Sequence, residues 1–159
     1  MATVTVITVG SLKESYLREA VAEYKKRLSQ YARVEEVELK EERISNEDNR
    51  AEIESALERE ADRILSAIPR DAKKIALCVE GKQYSSEELA SLIEDSNDSS
   101  GKTVFIIGSS YGLSDRVKRE CDVRLSFSKL TFPHQLMKVI LFESIYRSFT
   151  IIHGKRYHK

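Results

Sequence analysis

The stretch of sequence that decides the fold is TVFIIGSSYGLSDRVKRECDVRLSF, residues 103–127. It predicts a β-branched and aromatic strand from Thr103 to Ile107, then a glycine-bearing turn and a short helix that begins near Ser114. A second strand follows from Val123 to Phe127. No hairpin signal separates the two strands, which favours parallel strands joined by helical connections.

The same alternation continues on both sides of this stretch. It predicts an α/β fold, in which a mainly parallel sheet is flanked by helices within a single domain, residues 1–159. The serine-rich segment 96–101 is predicted to be a loop that is too short to link two domains. The other predicted strands are residues 3–9, 34–39 and 74–79, and the other predicted helices are 17–31, 45–68 (capped by Ser45), 85–93 and a last helix that begins at Pro133.

Composition narrows the class of protein. A chain of 159 residues is long enough to bury a full core. The start lacks a basic segment followed by a long apolar one, and no apolar run approaches the roughly 18 residues of a membrane span, so we expect a cytoplasmic protein. Cys78 and Cys121 show no metal-ligand spacing, and Cys78 is predicted to be a buried core thiol.

Charge is divided unevenly along a chain whose formal net charge is zero. Residues 125–159 contain all three histidines and six basic residues but only one acid, Glu143, whereas the preceding residues carry 20 basic and 25 acidic side chains. A basic tail can be a plain solvated terminus. Because this one also contains a strongly apolar helix and an aromatic residue near its end, we interpret it as a segment that contacts a phosphate backbone.

The last predicted helix is apolar nearly all round. A helix that packs only on its own sheet needs a single apolar stripe. The second apolar face therefore indicates a homodimer, or alternatively a central helix that is buried within one subunit.

Three strand ends form the candidate ligand site, because ligands of open α/β sheets bind beyond the carboxyl ends of the strands. These ends are residues 77–81, 107–112 and 127–132, and they contain Gly81, Gly108 and Gly112. Neither a dinucleotide fingerprint nor a P-loop follows the first strand, so NAD and ATP are poor candidates for a cofactor.

The segment LSFSKLTFPHQLMKVILFESIYRSFTIIHGKRYHK, together with IIGSSYGL and the start VTVITVG, resembles the SPOUT-class methyltransferases that modify N3 of a pseudouridine in large-subunit ribosomal RNA. The resemblance covers the whole chain. It implies a C-terminal trefoil knot, S-adenosylmethionine as methyl donor, no metal, a homodimer and the ribosome as partner. By motif matching, the residues that line the donor pocket are Leu77, Gly108, Phe127, Ser128, Lys129, Leu130, Thr131 and Phe132.

One position departs from the family pattern. The family usually has two adjacent glycines after the fourth strand, and here the second position is Ser109. A serine would be strained by about 1 kcal/mol if that position required a positive φ or a close approach to the ligand. We expect donor binding to survive, because Gly108 and Gly112 remain.

Methylation of a ring nitrogen requires alignment of the nucleophile, removal of its proton and stabilisation of the anion. The resemblance assigns these tasks to four polar residues: His134, Arg147, Tyr157 and His158. His134 could instead cap or pack at the helix start, and Arg147 could form an ordinary helical pair with Glu143. Tyr157 and His158 are expected to contact the target nucleotide, with Tyr157 stacking on a base.

Two other functions remain open. One is a non-catalytic module that binds RNA or the ribosome on a knotted scaffold. The other is a SPOUT methyltransferase that acts on a different RNA acceptor, such as a ribose oxygen. A measurement of catalytic turnover distinguishes the non-catalytic module from an enzyme, whereas a measurement of donor binding does not.

Overall fold

The computed structural model describes all 159 residues. Strands and helices alternate along the chain, as the sequence predicts. In order they are β1 (Ala2–Val9), α1 (Ser15–Leu28), β2 (Ala32–Leu39), α2 (Arg50–Ala67), β3 (Lys73–Gln83), α3 (Ser86–Ser99), β4 (Lys102–Ile107), α4 (Asp115–Glu120), β5 (Val123–Ser126) and α5 (His134–Ile152).

The five strands form one parallel sheet in the order β2-β1-β4-β3-β5. The predicted α/β fold with a parallel sheet is therefore confirmed. β1 lies between β2 and β4, and its register pairs Thr8 with Glu38 on one side and with Ile107 on the other. All five carboxyl ends consequently reach the same edge of the sheet, where ligands of this class of fold bind.

Helices cover both faces of the sheet, which explains why the central strands are continuously apolar. Phe105 and Ile107 of β4 belong to a core that they share with α1, α3 and α5. The alternate residues Val104 and Ile106 belong to a second core with α2 and α4. Alternate side chains of β4 thus point to opposite faces of the sheet and belong to two separate hydrophobic layers.

Two helix starts differ from their predicted positions. α2 begins at Arg50 because the Asn49 side chain, rather than Ser45, caps it by accepting a hydrogen bond from Glu52 N at 3.2 Å. The Ser45 hydroxyl donates instead to the Glu52 carboxylate at 2.8 Å. α5 begins at His134, one residue after Pro133, whose extended ψ of 134° places it just before the helix.

The serine-rich segment that we predicted to be a loop is mostly helical, because α3 continues to Ser99. Ser96 is buried, and its hydroxyl donates to Lys102 O at 3.0 Å and accepts from the Thr103 hydroxyl at 2.7 Å. Serine is a weak helix former in isolation. Here its hydroxyl is satisfied by the start of β4, so that tertiary contacts override the local preference.

α5 contacts both α1 and α3 and buries one of its faces in their shared core. Lys138 is 2% exposed, and its Nζ lies 2.8 Å from Glu36 Oε2 of β2, which fixes the helix to the edge of the sheet. The opposite stripe is less covered, since Leu136 is 40% exposed and Ile140 is only half-buried. The N-terminal half of this stripe of α5 therefore has no partner within this subunit.

Candidate active site

A cleft of about 680 Å³ lies at the carboxyl ends of the strands. Its walls come from the end of β3, from the loop after β4, from the segment after β5 and from the start of α5. The prediction that these strand ends converge is confirmed. The lining residues are Leu77, Cys78, Val79, Glu80, Ile107, Gly108, Ser109, Ser110, Tyr111, Gly112, Leu113, Lys118, Leu125, Phe127, Ser128, Leu130, Thr131, Phe132, Pro133, His134 and Met137.

The first wall is an interruption in β3. Leu77 and Lys82 are both paired with Leu125 of β5, so the four residues between them leave the ladder and turn toward the cleft. The prediction that Cys78 is a buried core residue is wrong, because the bulge places it, half-buried, in the cleft wall. Burial raises the pKa of the Cys78 thiol, so it stays protonated and chemically quiet.

The second wall is the loop after β4, which closes tightly. Gly112 N donates to Ser109 O at 2.8 Å, and a Cβ on Gly108 would lie 2.3 Å from Gly112 O. Only glycine fits at position 108. Ser109 causes no backbone strain, because Asp71 is the only non-glycine residue with a positive φ. Its buried hydroxyl makes no well-formed hydrogen bond and lies beside the carboxyl group of Glu60.

The third wall is the segment after β5. Short hydrogen bonds order it, since the Ser126 hydroxyl donates to Ser128 O and the Ser128 hydroxyl accepts from Leu130 N, both at 3.0 Å. Leu130 lines the cleft although it is 70% exposed, which leaves this wall open toward solvent. Of the eight predicted donor-pocket residues only Lys129 is absent from the lining, and its side chain is exposed.

His134 lies at the lip of the cleft, on the first turn of α5. The turn is held against the loop after β1, because Lys13 N donates to the Gln135 side chain at 3.2 Å. The imidazole makes neither a hydrogen bond nor an ion pair within the subunit. It is therefore free to contact a ligand.

The other three predicted catalytic residues lie together, but not in the cleft. Arg147 Nη2 and Nε donate to Glu143 Oε1 at 2.6 and 2.9 Å, and the Tyr157 hydroxyl donates to the same oxygen at 3.2 Å. His158 contacts Arg147 through Nδ1 at 3.1 Å and Glu87 through Nε2 at 2.8 Å. Arg147 follows His134 by 13 residues of helix, or about 20 Å along its axis.

Protonation within this network follows from its contacts. An arginine can only donate, so His158 Nδ1 accepts from Arg147 and the ring hydrogen lies on Nε2, which donates to Glu87. The hydrogen bonds to Glu143 hold the Arg147 pKa above its usual range. Burial, together with the charge of Glu143, raises the pKa of Tyr157 to about 12. Tyr157 therefore stays protonated at neutral pH and acts as a donor.

Sequence reasoning missed two features of the cleft. Lys118 of α4 forms an ion pair with Glu80 in the β3 bulge, and the hydrogen bond from Lys118 lowers the Glu80 pKa. Nothing in the local sequence marks Lys118. Glu41, just after β2, lies beside Gly10 and faces the same side as His134. Its place after a strand end was a signal that could have identified it.

The structure contains neither a candidate metal site nor a helix that could span a membrane. No cluster of three or more His, Cys, Asp or Glu side chains is placed to hold a metal ion. No helix combines the length and the apolar character that a membrane crossing requires.

An open parallel sheet with helices on both faces, and with its cleft at the strand ends, defines a ligand-binding α/β protein. Solved structures with this fold include a probable methylase family protein from Haemophilus influenzae, with a TM-score of 0.54 at 11% identity over 98% of this chain and 70% of that one. A second, described as giving structural insights into 2-OH methylation of C/U34 on tRNA, has a TM-score of 0.51 at 10% identity over 97% of this chain and 99% of that one. These likenesses concern the fold.

The sequence comparisons identify the family. Residues 2–158 match the model described as predicted SPOUT methyltransferase. The ribosomal RNA large subunit methyltransferase H of Caldicellulosiruptor bescii is 49% identical over 98% of this chain and 99% of its own length, and that of Bacillus pumilus is 45% identical with the same coverage. The chain belongs to the SPOUT methyltransferase family. It is a methyltransferase in which the cleft lies apart from the hydrogen-bonded group of Arg147, Tyr157 and His158 within one subunit.

Proposed function

We propose that this protein transfers a methyl group from S-adenosylmethionine to N3 of a pseudouridine in large-subunit ribosomal RNA. The relatives just described are named as large-subunit ribosomal RNA methyltransferases. Each of them aligns with this chain over nearly its whole length. The observation that carries the proposal is the position of an unpartnered histidine, His134, at the lip of a glycine-walled cleft.

The cleft residues fit the methyl donor. The volume of the cleft lies in the range of about 300–1,000 Å³ that is typical of small-molecule sites. The close approach of Gly108 to Gly112 leaves a wall of backbone, while Leu77, Leu125 and Met137 provide apolar surface for an adenine ring. The donor-pocket residues Leu77, Gly108, Phe127, Ser128, Leu130, Thr131 and Phe132 would hold the donor in this cleft, with Lys129 at its outer rim. When bound, S-adenosylmethionine supplies an electrophilic methyl group on its sulfonium.

His134 is the residue that would accept the N3 proton. Tyr157 is held protonated by a pKa of about 12, and Arg147 is cationic, so neither is a base at neutral pH. Both ring nitrogens of His158 are engaged, whereas the imidazole of His134 is free. When N3 is methylated, the imidazole of His134 would hold the proton that N3 releases. Arg147, which is paired with Glu143 in the structure, would stabilise the negative charge of the deprotonated nucleobase.

We infer that a complete site requires two copies of the chain. Arg147, Tyr157 and His158 lie about 13 helical residues from His134, too far to meet one nucleotide in the same subunit. Leu136, Ile140 and Arg147 share one stripe of α5, at spacings of four and seven residues, and Leu136 is 40% exposed. A homodimer that buries this stripe would carry the tail of one copy toward the cleft of the other.

The tail also has the charges that an RNA partner requires. Lys155, Arg156 and Lys159 are exposed and form no ion pair. They add three positive charges beside the aromatic ring of Tyr157, which suits contact with phosphates and stacking on a base. We propose a shaped ribosomal surface, rather than free RNA, as the substrate.

The proposal is tested by incubating the protein with labelled S-adenosylmethionine and large ribosomal subunits from a strain that lacks this gene. Label is expected in the ribosomal RNA with the wild-type protein and not with His134→Ala. Donor binding to both proteins is measured in parallel. If His134→Ala transfers label at the wild-type rate, the base assignment is wrong. If donor binds but the wild-type protein transfers nothing, a non-catalytic RNA-binding module becomes the better function.

A mixing experiment tests the two-copy site. His134→Ala has a defective cleft and an intact tail, and a chain truncated after Gly154 has the converse. If the site forms across the dimer, exchanging subunits between the two inactive proteins creates one intact site per mixed dimer and restores activity. If each tail serves its own cleft, the mixture stays inactive.

A further inference from the structure

A notch beside the donor cleft faces two side chains that have no partner. Gly10 directly follows β1, and its N–H donates to Leu39 O at 2.8 Å, which fixes the end of β1 against the end of β2. A Cβ on Gly10 would lie 3.5 Å from Glu41 Oε2 and 3.8 Å from His134 Nε2. The absence of a side chain at Gly10 therefore leaves an open space between a carboxylate and an imidazole.

The notch adjoins the donor cleft. His134 and Ile107 line both the cleft and the small depression that contains Gly10. A ligand that contacts both Glu41 and His134 would thus lie next to the donor. Glu41 forms neither a hydrogen bond nor an ion pair, in contrast to Glu42, whose Oε1 binds both Arg59 and Arg63. A carboxylate that is left free beside a reaction site is available to a ligand.

The separation of the two side chains limits which ligands can contact both of them. The distances to the Gly10 position place Glu41 Oε2 and His134 Nε2 no more than about 7 Å apart, and the absence of a direct bond keeps them more than 4 Å apart. Acceptors at hydrogen-bonding distance from N1 and N3 of a single uracil ring lie about 7 Å apart, which is the upper end of this range. Pseudouridine carries hydrogens on both nitrogens. Uridine has none on N1, because that nitrogen bears the ribose.

We propose that Glu41 determines specificity for pseudouridine over uridine by accepting the hydrogen bond from N1–H while His134 takes the proton from N3. The inference rests on the proposed function. It adds a reason why the modified base is chosen, since a site built to bind an N–H group rejects an analogue that lacks it.

The test compares two substrates: large subunits from a strain that lacks this gene, and large subunits that also lack the synthase for the target pseudouridine and so carry uridine there. Single-turnover rates are measured with enzyme in excess. Wild-type protein is expected to prefer pseudouridine by about tenfold to a hundredfold, the range of one charged hydrogen bond. Glu41→Ala is expected to lose most of that preference through a slower reaction with pseudouridine and an unchanged reaction with uridine.

Controls separate the possible failures. Glu41→Gln keeps an acceptor oxygen and is expected to retain part of the preference for pseudouridine. Glu35→Ala removes an exposed carboxylate of β2 and is expected to retain the whole preference. If Glu41→Ala slows both substrates equally or keeps the wild-type preference, Glu41 does not read N1–H. If the wild-type protein fails to methylate the pseudouridine subunits, the proposed function itself is wrong, whatever the Glu41 variants do.

Discussion

Arg147 and His158 are joined by a hydrogen bond in which Nη1 of the arginine lies 3.1 Å from Nδ1 of the imidazole. The bond ties the second-to-last residue of the chain to α5. The Arg147 guanidinium also lies 4.7 Å from the centre of the Tyr157 ring, a cation–π contact. The tail is therefore a folded part of the molecule, with its polar groups already ordered before any RNA is bound.

Deletion of residues 155–159 is expected to abolish methyl transfer and to leave donor affinity unchanged. The deletion removes Tyr157 and His158, whereas the cleft draws on no residue beyond Met137. Donor binding is measured by calorimetry and transfer by labelled methyl incorporation. Retained transfer would show that the tail has no catalytic role, and lost donor binding would show that the tail also supports the cleft.

Replacement of Lys155, Arg156 and Lys159 by glutamine is expected to weaken ribosome binding while Tyr157 and His158 stay in place. Each phosphate contact contributes about one unit to the slope of log affinity against log salt concentration. Up to three contacts are removed, so the slope should fall by about one to three units. The measurement is a salt titration of binding to large subunits. An unchanged slope would mean that these cations face solvent in the complex.

Gly108→Ala and Ser109→Gly are expected to differ sharply in donor affinity. A Cβ at position 108 meets Gly112 O at 2.3 Å, so the loop must shift and the donor should bind at least about tenfold more weakly, in line with the cost of overpacking. Ser109 has no positive φ, so its replacement should change the affinity by less than about threefold. Calorimetric titration distinguishes the two. A large gain for Ser109→Gly would instead reveal a contact between the serine and the donor.

Glu60→Gln is expected to make stability less dependent on pH. Glu60 is 3% exposed, and burial raises its pKa although Glu42 N donates to it at 2.9 Å. A raised carboxyl pKa favours the protonated folded state, so this contribution is present below the unfolded pKa near 4.5 and is lost as pH rises through the folded value. The free energy of unfolding is measured in urea from pH 4.5 to 7. Wild type should lose more stability over this range than the variant, and parallel losses would contradict the account.

Most of the fold could be predicted from local pattern. Every predicted strand and helix is present, because apolar periodicity is strong where both faces of a strand are buried. The errors fall where tertiary contacts decide. Ser96 is helical because the start of β4 satisfies its hydroxyl, and Cys78 leaves the sheet because the ladder to Leu125 resumes four residues later.

The candidate site was predicted less completely. The strand ends were identified because a parallel sheet brings them to one edge, and the resemblance supplied His134, Arg147, Tyr157 and His158. Periodicity carries no information on the distance between His134 and the other three, nor on the pairing of Lys118 with Glu80. Those relationships depend on how α5 and α4 lie on the sheet. The trefoil knot stays a prediction of the resemblance.

The measurement that tests the central claim most directly is identification of the modified nucleoside. Large subunits from a strain that lacks this gene are treated with the protein and S-adenosylmethionine, and the digested ribosomal RNA is analysed by mass spectrometry against N3-methylpseudouridine and 2′-O-methyl standards. The account predicts N3-methylpseudouridine, and none with His134→Ala. A methyl group on a ribose oxygen, or on a different base, would contradict the assignment of His134 and Glu41 to one pseudouridine ring.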